Sequence, residues 1–83
     1  MIDEATRIRV IRALIGNSCR EFAAALGASP NSITNWEKGR TVPKKLTRKR
    51  MARLCHQHNF CFLPSGMPVP MDDIMQLKIR GGK

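Results

Sequence analysis

The chain has 83 residues, 42% apolar and 5% aromatic, enough for one small domain with a single modest core. Fifteen Lys and Arg against six Asp and Glu leave a net charge of +9 and a pI near 10.6. That charge points to a polyanionic partner rather than to a merely solubilising surface, where both signs are usually mixed.

No apolar run reaches the roughly 18 residues of a membrane span. Asp3 and Glu4 stand where a signal peptide would carry positive charge. The three cysteines, Cys19, Cys55 and Cys61, are odd in number and form no C-x-x-C pair. A soluble protein of a reducing cytoplasm is expected, not a secreted disulfide scaffold.

In chain order, Asp3 can cap a first helix over residues 4–15. Ala5, Ile8, Ile11, Leu14 and Ile15 form one apolar stripe at helical spacing, with Arg7, Arg9 and Arg12 outside it. Gly16 and Asn17 end it with residues that tolerate a left-handed backbone. Ser18 caps a second helix, and Glu21 three residues on completes a capping box. Phe22, Ala23 and Leu26 face inward, Arg20 faces out, and Gly27 breaks the helix.

Ser29 caps a third helix with Pro30 at its first position, where a missing N–H costs nothing. Ile33 and Trp36 turn inward, leaving Asn31, Ser32, Thr34, Asn35 and Lys38 on the other side. A solvated face is usually built of Lys and Glu. One built of amides and hydroxyls offers the fixed donors and acceptors that reading base edges requires.

Gly39–Pro43 is a loop, and a fourth helix is expected over residues 44–58. Its apolar half carries Leu46, Met51, Leu54, Cys55 and His58, and its polar half Lys45, Arg48, Lys49 and Arg53. Arg50 falls between Leu46 and Leu54, so its stem is expected to pack while its head snorkels out. From Lys38 to Arg53 eight of sixteen residues are basic and none is acidic, which favours phosphate contact, at least near the loop.

After Asn59, Phe60–Leu63 reads as a short strand and Pro64-Ser65-Gly66 as a type I turn with a bulge. Met67–Pro70 can return as the partner strand. Its alternating prolines place both missing N–H groups on one edge, which confines it to the outside of any sheet. Asp72 can cap a last segment holding Ile74, Leu77 and Ile79, and 80–83 reads as a loose tail. Cys55, His56, His58 and Cys61 match no common zinc spacing, and core packing is the stronger reading for them. No metal, cofactor or catalytic residue is expected, and no segment is long enough to wall a substrate pocket. A redox role for Cys19 is the weaker reading of that thiol.

Residues 7–58 resemble the Cro/repressor-type (XRE) helix-turn-helix family. The match is carried by Arg20–Pro43, REFAAALGASPNSITNWEKGRTVP, and the resemblance covers about two thirds of the chain. It implies a mainly α, lambda-repressor-like bundle of four to five helices, here with a short C-terminal β-hairpin. Residues 1–59 would form the DNA-binding domain and 60–83 an extension.

The resemblance further implies that the Pro30–Lys38 helix enters the DNA major groove. Asn31 and Asn35 are then the first candidates for base contact, with Ser32 and Thr34 next. Lys38, Arg40, Thr41 and Lys44 match backbone-contacting positions, and Arg12 with Glu37 matches a structural ion pair. The sequence departs from the family at Pro30 and at Cys19, two places where relatives carry glutamine. Phosphate contact at the second helix would therefore rest on Arg20 and on backbone N–H groups beside Cys19.

The function expected is sequence-specific binding of double-stranded DNA as a homodimer, in a repressor of phage, plasmid or bacterial origin. The apolar Phe60–Pro70 segment, with Phe60, Phe62 and Val69, is the expected dimerisation surface. The alternatives are an antitoxin-type regulator that binds a protein partner through its C-terminal segment, and a non-specific nucleic-acid binder.

Overall fold

A computed structural model describes residues 1–71. Four helices, α1 (Glu4–Ile15), α2 (Cys19–Leu26), α3 (Pro30–Glu37) and α4 (Lys45–Gln57), precede an antiparallel hairpin of β1 (Phe60–Phe62) and β2 (Pro68–Pro70). This is the mainly α bundle with a C-terminal hairpin expected from the sequence. The segment after Asp72 lies outside the described residues. No helix among the described residues is long and apolar enough to cross a membrane.

Three helices begin where the cap chemistry places them. Asp3 Oδ1 accepts from the Thr6 N–H at 2.8 Å. At α2 the Glu21 N–H donates to Ser18 Oγ, and the Ser18 N–H donates back to Glu21 Oε1 at 2.9 Å. Ser29 Oγ accepts from the Ser32 N–H at the start of α3. Each such cap satisfies a donor that the first helical turn leaves open. α4 has no side-chain cap at Lys44.

The core joins the first three helices and the later turns of α4. Ile8, Ile11, Phe22, Ala23, Leu26, Ile33, Trp36, Met51 and Cys55 are buried, and the described residues include no buried polar side chain. α3 packs on both α2 and α1, and the small Ala23 lets α2 approach it closely. The expected apolar faces are trimmed at their ends: Leu14 is 42% exposed, Leu46 is 59% exposed, and His58 is exposed. α4 meets the core through Met51 and Cys55, so its first turn carries Leu46 beyond the core.

Arg50 does more than snorkel. Its Nη1 donates to the carbonyl of Leu26 at 3.2 Å, placing a cation on the C-terminus of α2, where the helix dipole and the open carbonyls favour one. Gly27 follows in the left-handed region at φ 67°, and a Cβ there would lie 2.5 Å from Arg50 Nη1. The backbone therefore favours glycine, and a larger residue would also push the flexible Arg50 head off its place at the Leu26 carbonyl.

In the hairpin, Cys61 faces Val69, while Phe60 and Phe62 face Pro70 and Pro68. The N–H of Leu63 donates to Met67 O and that of Met71 to Asn59 O. Odd-numbered residues thus hold the strands together, and the two prolines fall on the outward-directed positions. Pro68 is fully buried, Phe60 packs against the core, and β2 lies next to α1 while β1 lies next to α4.

Gly27→Ala is expected to destabilise the fold by about 1–2 kcal/mol, lowering Tm by roughly 5–15 °C. Gly39→Ala, at φ 73° but in open space, should cost less. Thermal melts of the two variants followed by circular dichroism check the order.

Candidate nucleic-acid interface

The outward face of α3 follows from helix geometry. At ~100° per residue, Asn31, Thr34, Asn35 and Lys38 share one side, opposite Ile33 and Trp36. Ile33 is fully buried and Trp36 is 7% exposed, whereas Asn31 and Lys38 are exposed and Thr34 and Asn35 half-exposed. Among the described residues, neither asparagine amide is engaged by a protein hydrogen bond. They stand one turn apart, about 6 Å along the axis, which is close to two base-pair steps of ~3.4 Å.

The two hydroxyl residues expected beside them are placed differently. Ser32 Oγ lies 3.0 Å from Ser29 Oγ and belongs to the helix cap. Thr34 Oγ1 donates to Pro30 O at 3.2 Å, which leaves its methyl and the oxygen's accepting capacity for a partner. The outward face with unengaged polar groups is therefore Asn31, Asn35 and Thr34, with Ser32 at its margin.

The position of α3 is fixed by a bidentate ion pair. Arg12 Nε donates to Glu37 Oε2 at 2.6 Å and Arg12 Nη2 to Glu37 Oε1 at 2.8 Å, while Nη1 reaches Asn17 O at 3.3 Å. The Glu37 side chain is only 10% exposed. A carboxylate at a helix C-terminus opposes the dipole, so Glu37 needs its arginine. The hydrogen bonds to Glu37 in turn raise the pKa of Arg12 further above its ordinary value.

At the end of α3, Gly39 adopts φ 73°, its N–H donates to Trp36 O, and the Arg40 N–H donates to Asn35 O. This double closure is a Schellman motif. It turns the chain into the basic loop, where Lys38, Arg40 and Lys44 are exposed. Thr41, although exposed, borders a pocket lined also by Asp3 and Glu4, a poor setting for a phosphate.

Sequence reasoning missed the start of α4. The N–H groups of Lys45, Leu46 and Thr47 have no side-chain cap, and Lys44 and Lys45 bring positive charge to the positive end of the dipole. A phosphate would answer both conditions. The signal was present in the sequence as the absence of Ser, Thr, Asp or Asn at Lys44. Arg48, expected on the solvent side, donates to Glu4 Oε1 at 2.8 Å and is a link between α4 and α1.

At the start of α2, Arg20 is exposed, whereas Cys19 is half-buried and packs against the core. The capping box engages the N–H groups of Ser18 and Glu21. Only the Cys19 and Arg20 amides remain for an anion, close to the Glu21 carboxylate. This end of α2 thus leaves fewer N–H groups without a side-chain partner than the start of α4 does. Of the expected dimerisation residues, Phe60 and Val69 are half-buried and Phe62 is 47% exposed. Cys55 is buried, and burial pushes its thiol pKa up. The described residues hold no cluster of metal-ligating side chains.

No family model, curated protein or solved structure matches this chain.

Removing Arg12 strands a nearly buried carboxylate, whereas removing Glu37 leaves an arginine with partial access to water. Arg12→Ala is expected to cost about 2–3 kcal/mol and Glu37→Ala about 1–2. The double variant should be no worse than Arg12→Ala, and a double-mutant cycle from thermal melts checks this.

Hydrogen bonds from Thr6 to Asp3, and from Ser18 to Glu21, hold both carboxyls below their ordinary range. Groups with a lowered folded pKa stabilise fully above their unfolded values, roughly pH 4, and lose that contribution as pH falls through the folded ones. Stability measured by acid titration should therefore fall below about pH 4, and less steeply in the Asp3→Asn/Glu21→Gln variant.

Proposed function

We propose that this protein binds double-stranded DNA sequence-specifically as a homodimer and acts as a cytoplasmic transcriptional repressor of bacterial or phage origin. The observation that carries the reading is the outward face of α3, where Asn31 and Asn35 present unengaged amides on a helix braced from behind by Ile33, Trp36 and the Arg12–Glu37 pair. At about 12 Å long, α3 matches the ~12 Å width of the major groove. An asparagine amide pairs bidentately with N6 and N7 of adenine, and the Thr34 methyl suits the methyl of thymine.

Lys38, Arg40 and Lys44 flank the readout face and, with the uncapped start of α4, supply phosphate contacts that set register. Two such units about a twofold axis read a palindrome with half-sites roughly one helical turn apart. Bound there, the dimer blocks polymerase sterically.

A footprint on the DNA upstream of the protein's own gene tests the reading, together with selection from random duplexes. Two symmetric protected half-sites, or one enriched palindrome, are expected. Asn31→Ala and Asn35→Ala should each cost about 1–3 kcal/mol of discrimination at one base position. Arg40→Ala and Lys44→Ala should weaken all sequences alike and each lower the salt slope by about one. Binding with no sequence preference at physiological salt would refute specific readout.

A further inference from the structure

On the side of the bundle where the hairpin sits, α1 packs on α3 and β2, and α4 packs on α2 and β1. Arg48 Nη2 ties the two helices together by donating to Glu4 Oε1 at 2.8 Å. Between α1, α4 and β1 lies a cavity of about 370 Å³, within the range of about 300–1,000 Å³ that small-molecule sites occupy between the helices of bundles. No single segment walls it; two helices and a strand do. Its floor is the buried core, Ile8 and Met51. Its sides are Ala52, whose lone methyl leaves the space open, and Phe62, which is 47% exposed.

The rim of the cavity carries Glu4, Arg7 and Arg48, and so selects the charge of a ligand. Glu4 is engaged by Arg48, and a ligand with its own cation would have to break that bridge to reach it. Arg7 is placed differently. Its Nη2 stands 3.9 Å from Glu4 Oε2, beyond hydrogen-bond reach, and among the described residues its guanidinium donates no hydrogen bond. Its head lies beside the hairpin turn, where a Cβ on Gly66 would come 3.7 Å from Nη1. Two arginines and one glutamate leave the rim one positive charge in excess. The planar fork of a guanidinium matches a carboxylate bidentately, as an ammonium would not.

The apolar lining selects the body of the ligand. The Phe62 ring offers a face or edge to another ring, and the Met51 thioether adapts to whatever shape lies on it. A volume near the lower end of the range suits one or two fused rings. We propose that this cavity binds a small aromatic carboxylate, its rings on Met51 against Phe62 and its carboxylate on Arg7. The site shares no residue with the outward face of α3 and does not rest on the proposed function, so either can fail without the other.

The test is an amide chemical-shift titration of the full-length protein with naphthalene-2-carboxylate, alongside naphthalene-2-carboxamide and acetate. The carboxylate is expected to saturate one site per chain with Kd of about 1 mM or tighter, moving amides of α1, α4 and β1. The carboxamide should bind at least tenfold more weakly and acetate not measurably. Arg7→Gln should weaken the carboxylate at least tenfold and leave the carboxamide unchanged. Ala52→Leu, at an exposed helix position, fills the cavity and should abolish binding of both aromatic probes; native circular dichroism checks the fold of each variant. Arg20→Gln removes an equal charge elsewhere and should change nothing.

The proposal is overturned by the absence of saturable binding in the millimolar range, or by shifts that fall outside α1, α4 and β1. Equal affinity for carboxylate and carboxamide would overturn it too, as would binding that survives Ala52→Leu or that Arg20→Gln weakens as much as Arg7→Gln.

Discussion

The bond between Arg12 and Glu37 is the constraint on which the rest of the structure turns. It joins the last turn of α1 to the last residue of α3, and two parallel N–H···O contacts fix orientation as well as distance. An eight-residue helix has little stability of its own, so the direction of α3 must come from its attachments. Ile33 and Trp36 fix its inner face, Gly39 fixes its exit, and Arg12 fixes its end. With those three settled, the outward presentation of Asn31 and Asn35 follows from the pitch of the helix.

The electrostatics divide along the same line. The interior described here contains no buried charged group, and the one nearly buried carboxylate is bidentately paired. The acidic side chains of the described residues cap or brace helices: Asp3 and Glu21 at N-termini, Glu4 to Arg48, Glu37 to Arg12. The scaffold thereby engages the negative charge and leaves Lys38, Arg40 and Lys44 exposed.

What was legible in the sequence was local. Asp3, Ser18 with Glu21, Ser29 with Pro30, and the glycines after each of the first three helices set the boundaries of those helices, because cap chemistry acts over three or four residues. The hairpin was legible for the same reason, through Pro64-Ser65-Gly66 and the alternation of its prolines. Contacts between distant residues were harder. The Arg12–Glu37 pair came only from a family resemblance. The Arg50–Leu26 bond and the Glu4–Arg48 bridge, 24 and 44 residues apart in the chain, left no periodic trace. Periodicity assigned Leu46 to the core but says nothing about where along a helix the core ends. At the candidate interface, composition marked the α3 face, but only geometry separated Asn31 and Asn35 from Ser32, whose hydroxyl serves the helix start.

The two prolines of β2 have a consequence for how far association can go. A strand pair with donors on both outer edges can add copies without limit, each new edge templating the next, as in fibres. Here the sheet runs out of donors on one side of every copy. A strand added by another molecule along the other side would leave the same proline-bearing margin, which offers no donor to a further strand. In so small and charge-free a segment, Pro68 and Pro70 deny an incoming strand the donors it would need along β2.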